Sequence, residues 1–354
     1  MSHHNALPPD VLNGAGPARR SRGWQPWHHR GFMGAITLVL LALATPSAAL
    51  AGGGTVKLAR KYRAGQVMVY TTEVRTRGHV ESHPEALKNF FPPVPPELTM
   101  RQQNTVTVTS VHPDGAADIQ HRIDHFEVQT DLSSLPENLR DAAKQAQQEF
   151  TEHMTGQMMT VHYDHDGRLV DFEGADAMWK ELDPPLREPL RQMMRLFLEQ
   201  MGGQSLYPDH PIKPGEEWAQ KLDSPPRPDY PFQEQGKSTL HYSGKTRYHG
   251  VKAAIVDYHF ENSLVPGEKG LEAGGAMSAL DAMGVRLDIH ISGKGEGRIL
   301  VALDDGRVLQ NHSTLHQTMS ALMKGREGLL AAGDQMPKLE IQADTDLLVE
   351  EAGK

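Results

Sequence analysis

His162, Asp164, His165 and Asp166 crowd one Asp-Gly turn, where imidazoles and carboxylates at such density could hold a hard or borderline cation. Their spacing matches no established ligand pattern, and a solvated turn has the same composition. His121 and His125 would pair as metal ligands on a helix. In the β pattern around them, residues four apart share a face but lie about 13 Å apart, too far for one ion. Gly236-Lys237-Ser238 resembles the end of a phosphate-binding loop, but the following Thr239-Leu240-His241-Tyr242 reads as a strand. With no helix N-terminus there is no amide cradle for a phosphate. Gly293-Lys294-Gly295-Glu296-Gly297 lies between two strand patterns and reads as a hairpin or bulge rather than a dinucleotide turn. Asp171 with Glu173, and Asp304 with Asp305, could serve as paired carboxylates, although carboxylates beside turns are ordinarily solvated. The chain has neither a G-x-S-x-G nor an H-E-x-x-H pattern, and no cysteine. These readings assign no catalytic residue, no metal ligand and no cofactor.

The most distinctive apolar feature is a methionine-rich stripe. Met193, Met194, Phe197 and Met201 follow helical spacing, and Met158 and Met159 stand earlier in the chain. Methionine is adaptable and suits surfaces that take varied apolar partners. Met158, Met193, Met194, Phe197 and Met201 are therefore the candidate ligand-binding residues, the alternative being a core helix lying on a sheet. Trp179 and Trp218 read as core anchors.

The elements that must position these residues are mostly strands. Period-2 alternation marks Val67 to Thr76, Asn104 to Val111, Ala117 to Val128, Met158 to Tyr163 and Arg168 to Phe172. Further on it marks Ser238 to Tyr242, Lys252 to Phe260, Val285 to Ile291, Arg298 to Leu303 and Arg307 to Leu315, with Lys338 to Val349 as a closing strand. The alternation changes parity between Ile123 and Phe126, which predicts a bulge. Ser134 with Glu137 forms a capping-box pattern, and Leu139, Ala143, Ala146, Phe150 and Met154 then follow one helical stripe. Two more helical stretches are expected, Ala175 to Met201 and a weaker Leu271 to Met283.

The chain also matches itself. Gly65, Asp114-Gly115 and Asp166-Gly167-Arg168 correspond in order to Gly215, His249-Gly250 and Asp305-Gly306-Arg307. Arg19, Arg20, Arg22 and Arg30 precede an apolar run, Phe32 to Leu43, and the small-residue stretch Ser47 to Ala51. That order is a secretory signal and implies a periplasmic or secreted protein. The expected organisation is residues 1–51 as signal peptide, 52–203 as a first β-rich unit with a helical insertion, and 204–354 as a second. The net charge is -9 over 354 residues, about -12 without the leader's charges. An acidic surface disfavours nucleic acid, and the failed loop pattern disfavours nucleotides.

The Tyr62-to-Tyr70 pattern Y-x-x-G-x-x-x-x-Y, its variant at Ile212 to Trp218 and the two D-G-R hairpins resemble an uncharacterised family of exported bacterial proteins, a domain of unknown function. The resemblance implies a periplasmic or secreted protein and transfers no catalytic residue. By fold analogy alone, long curved antiparallel sheets packed on helices resemble the half-barrels of envelope lipoprotein carriers. The expected fold is α+β: two tandem related units of curved antiparallel β-sheet with interspersed helices. The expected function is non-enzymatic binding of an apolar, lipid-like ligand or a protein partner in the envelope. The alternatives are a metal- or carboxylate-dependent hydrolase at the Asp-Gly hairpins and a structural envelope protein.

Overall fold

The computed structural model describes residues 54–83, 96–133, 135, 137–165, 167–175, 191, 207–221, 232–266, 285–325 and 338–352. Leader residues 1–51, the Leu271 to Met283 stretch and, apart from Ala175 and Arg191, the Ala175 to Met201 stretch lie outside them.

The described strands form one antiparallel sheet. They are β1 (Val67–His83), β2 (Glu97–Val111), β3 (Ala117–Thr130), β4 (Met158–Tyr163), β5 (Leu169–Glu173), β6 (Glu217–Lys221), β7 (Phe232–Tyr248), β8 (Val251–Pro266), β9 (Val285–Ala302), β10 (Val308–Gly325) and β11 (Lys338–Glu351). Their spatial order is β5-β4-β3-β2-β1-β11-β10-β9-β8-β7-β6. The α+β expectation is therefore wrong: among the described residues there is one helix, α1 (Glu137–Met154), and one eleven-stranded sheet. The physical reason is the seam at its centre. β1 and β11 pair over fourteen residues, from Tyr70 opposite Glu351 to His83 opposite Lys338, and this joins the strands of both halves edge to edge.

Gly293 to Gly297 was a second misreading. These residues lie within β9, each paired across to β10, so the two expected strands are one of 18 residues. All three glycines are on the inward face, where Phe260 and Asn262 of β8 lean over them. A Cβ on Gly295 would stand 2.5 Å from the Thr314 carbonyl oxygen and 2.8 Å from the Phe260 ring. So close an approach by the neighbouring strand, on the side-chain side, marks a sharp inward bend of the sheet, which glycine permits.

One face of the sheet carries the core. On β11, Leu339, Ile341, Ala343, Thr345, Leu347 and Val349 alternate as buried residues, as period 2 requires. One core cluster, in β1–β5, includes Met68, Val106, Val108, Ile119, Val161 and Phe172. Its counterpart in the other half includes Leu240, Tyr242, Val256, Ile299 and Val301, with Val56 and Leu58 laid over them. α1 covers the region between through Met154, which is buried, and Phe150, which packs edge-on against Phe126. Leu139, expected on the same stripe, is exposed.

The three sequence-matched glycine pairs sit at matching turns. Gly65 N–H donates to the Val108 carbonyl and Gly215 N–H to that of Tyr242, both at 2.8 Å. Val108 and Tyr242 each stand at a register shift, against β3 and β8 respectively. The bulge expected between Ile123 and Phe126 is present, with Asp124 as the extra residue.

Segment 54–66 crosses the inward face. Val56 bridges Ile212, Lys61 N–H donates to the Asp305 carbonyl at 2.8 Å, and the Tyr62 ring stacks on Tyr163 of β4 with centroids 6.2 Å apart. Seven extended residues reach about 20 Å. Along the sheet, the path from β7 to β4 is eight strand spacings, about 38 Å. A chord so much shorter than its arc means that the sheet curls around this segment.

Candidate functional site

The curl brings together groups that are far apart in the chain. Arg60, in the crossing segment, has its guanidinium 5.2 Å from the centroid of the Tyr62 ring. Around it stand Tyr70 of β1, Tyr207, Asp305 of the β9–β10 turn and, further off, His121 of β3 and Tyr163 of β4. The Tyr70 hydroxyl donates to the Val308 carbonyl at 3.1 Å, and the Tyr207 hydroxyl donates to the Gly306 carbonyl. Both rings are thereby tied to one turn.

That turn has its own charge network. Asp305 is 2% exposed. Its Oδ1 accepts from Arg307 N–H at 3.1 Å, and its Oδ2 accepts from Arg307 Nη1 at 2.7 Å and Gln66 Nε2 at 2.9 Å. Arg307 Nε also donates to Glu351 Oε2 at 2.9 Å. Burial alone would push the Asp305 carboxyl up; the hydrogen bonds and charge of Arg307, with Gln66, outweigh it and hold it below the usual carboxylate range. Asp305 was expected to be a solvated turn carboxylate and is instead a buried structural ion.

Arg60 differs from Arg307. Among the described residues its guanidinium makes no ion pair. Burial opposes its charge, while the surrounding tyrosines and Asp305 favour it. The tyrosines act as charges only when ionised, and burial pushes Tyr70 and Tyr207 up to about 12. At neutral pH they offer Arg60 dipoles and ring faces. Among the described residues the carboxylate that acts on it is Asp305, whose oxygens are already engaged.

His121 faces inward between Val106 of β2 and Met159 of β4. Its Nε2 is buried and, among the described residues, has no hydrogen-bond partner. Burial, with a smaller contribution from Arg60, lowers its pKa to about 4, so it is neutral at physiological pH. His125 lies across the Asp124 bulge and so on the opposite face; the shared face expected from spacing is undone by that one residue.

Arg60, Tyr62, Tyr70, Tyr207, His121, Met159 and Tyr258 all lie deep in the fold yet are only half-buried. Apolar clusters of both halves adjoin them, so the interior has a polar centre between greasy walls.

Met158 is 49% exposed and pairs with Arg122 on the face opposite His121; its neighbour Met159 is the inward one. Met193, Met194, Phe197 and Met201 lie outside the described residues. Arg191, in the same stretch, is helical and stands 5.7 Å from the ring of Phe172 on β5. His162 hydrogen-bonds Asp118 at 2.7 Å, and Asp118 also accepts from Ser110 and His112. Asp164 Oδ1 accepts from Arg168 N–H at 2.8 Å, so this carboxylate closes its own turn. No group of three or more His, Asp or Glu among the described residues is arranged to hold a metal ion. Gly236-Lys237-Ser238 lies within β7, paired to β8 throughout.

A second concavity, of about 560 Å³, lies on the opposite face of the sheet, lined by Arg75, Lys294, Glu296, His316 and Asp346 among others. Opposite charges face one another across its paired strands, Arg75 opposite Asp346, Arg77 opposite Asp344 and Lys294 opposite Glu261. Such a face neutralises itself and selects no particular ion.

No family model and no curated protein matches the chain. Among solved structures it is similar to lipovitellin, in a structure described as showing lipid–protein interactions. The identity is 10% and the TM-score 0.36, over 83% of this chain and 26% of that one. The chain thus spans about a quarter of the lipovitellin chain. It is also similar to the outer membrane protein OprG from Pseudomonas aeruginosa, at 7% identity and a TM-score of 0.22, over 84% of this chain and 100% of that one. At these scores neither likeness bears on what the site does. Among the described residues no helix is long and apolar enough to cross a membrane.

Proposed function

We propose that this is an exported envelope protein, built from two copies of one β-rich unit, that binds an apolar, lipid-like molecule inside its curled sheet without transforming it. The observation that carries the reading is the interior surface. Tyr62, Tyr70, Met159 and Tyr258 pack on the buried core of the inward face and are themselves only partly buried. Aromatic and methionine side chains with a few convergent polar groups are the usual lining of a small-molecule site. His121 pairs with no carboxylate among the described residues, and the Asp305 oxygens are held by Arg307 and Gln66, so neither is set up for proton transfer. Met193, Met194, Phe197 and Met201 remain candidate ligand-binding residues in this reading.

Native mass spectrometry on protein purified from the periplasm, with organic extraction of the same sample, tests it. A stoichiometric lipid-like mass that extraction removes is the expected result. A bare polypeptide that also fails to take up added amphiphiles refutes it and favours a protein partner or a structural role.

A further inference from the structure

We propose that Arg60 is the headgroup anchor of this interior, and that the ligand is an amphiphile with one negative charge, a carboxylate on an apolar chain. The inference rests on the binding reading above and adds the chemical class of the ligand.

A guanidinium taken out of bulk water loses hydration that must be replaced by hydrogen bonds and countercharge. Arg307, in the same region, has both, from Asp305 and Glu351. Arg60 has a tyrosine ring beside it and, among the described residues, no ion pair. Its five N–H donors form a fork suited to the two oxygens of a carboxylate. Further off, on β3, His121 Nε2 is a buried polar atom with no hydrogen-bond partner among the described residues, and a neutral imidazole can donate to or accept from a headgroup.

The surroundings fix the rest of the ligand. Tyr62 and Tyr163 join Arg60 to the apolar cluster of Met68, Val106 and Val161, while Val56 and Leu58 lead to that of Leu240, Tyr242 and Ile299. A molecule whose charge meets Arg60 thus has its apolar part against one of these walls. One cation without an ion pair among the described residues matches a monoanion. A phosphate dianion would bring a surplus charge toward Asp305, which repels it.

The test is calorimetric titration of delipidated protein with dodecanoate, dodecanol and dodecyltrimethylammonium, each below its aggregation concentration, on wild type and on Arg60→Gln and Arg60→Lys. Dodecanoate is expected to bind wild type about tenfold or more tighter than dodecanol, and dodecyltrimethylammonium weakest. Arg60→Gln is expected to lose that preference while dodecanol binding persists; Arg60→Lys keeps part of it. Equal binding of dodecanoate and dodecanol by wild type overturns the headgroup assignment and leaves the binding reading standing. Binding of none of the three overturns both. If Arg60→Gln does not fold, the wild-type ratio still decides.

Discussion

The two D-G-R hairpins share their local chemistry and differ in fate. In the β4–β5 turn, Asp164 N–H donates to the Arg168 carbonyl at 2.9 Å and Gly167 N–H to that of Asp164 at 2.9 Å. In the β9–β10 turn, Ala302 N–H donates to the Arg307 carbonyl at 2.9 Å and Gly306 N–H to that of Ala302 at 3.0 Å. Yet Arg168 is exposed, whereas Arg307 bridges Asp305 and Glu351 with 15% of its side chain exposed. The crossing segment reaches the strand beside the first turn, where Tyr62 stacks on Tyr163. The second is gripped by it through Lys61 and Gln66, and Tyr207 donates to the same turn. Turn residues dictate the bend; what lies across the bend decides whether its charges are solvated or structural.

The largest expected effect breaks the gripped turn. Asp305→Ala leaves Arg307 without one of its two buried partners, for a loss of about 4 kcal/mol. Asp164→Ala in the other turn removes a single cap, for about 1 kcal/mol. Urea midpoints of the two variants measure the contrast, and equal losses would dissolve it.

The next effect compares matching inward positions of the two halves, His121 of β3 and Tyr258 of β8. The Tyr258 hydroxyl is partnered, donating to Asn311 Oδ1 at 3.2 Å, whereas His121 is not. The folded state lowers the His121 pKa from 6.5 to about 4, so it disfavours the imidazolium. The unfolded chain takes the proton first as pH falls. Full stability therefore holds above pH 6.5, and about 3 kcal/mol is lost on descending to pH 4. His121→Phe should flatten stability against pH over that window, while Tyr258→Phe should cost about 1 kcal/mol with no slope of its own there. Parallel pH profiles for wild type and His121→Phe would show that the histidine is solvated after all.

The smallest effect sharpens the comparison at backbone level. Gly306 has φ +70°, and an added Cβ would lie 2.2 Å from the Ala59 carbonyl oxygen in the crossing segment. Gly250, at φ +82°, has open space. Gly250→Ala should cost about 1 kcal/mol from its dihedral alone, and Gly306→Ala about 2–3 kcal/mol because the segment must also move. Thermal melts of the pair test whether that segment is held firmly against the turn.

Local signals carried much of the fold. The parity change after Ile123 locates the Asp124 bulge, the Asp-Gly pairs locate hairpins, and alternation from Lys338 finds the closing strand. Gly293 to Gly297 misled because glycines at every second residue look like a break until Phe260 and Asn262 on the next strand are seen filling their places. The seam of β1 with β11 joins residues nearly the whole chain apart, which no local period encodes. The interior site was illegible for the same reason. Tyr62 and Tyr70 stood out as a pattern, but Arg60, His121, Tyr207 and Asp305 meet only once the sheet has curled.

The seam also sets the order in which the molecule can be made. β1 is among the first strands to emerge during synthesis, and it keeps an unpaired edge until Lys338 to Glu351 arrive. Until then β10 is equally bare on its far side. Two long strand edges wait through most of translation, an arrangement that folds slowly and invites pairing with other chains. A chain that completes its centre last gains from being held extended until it is whole.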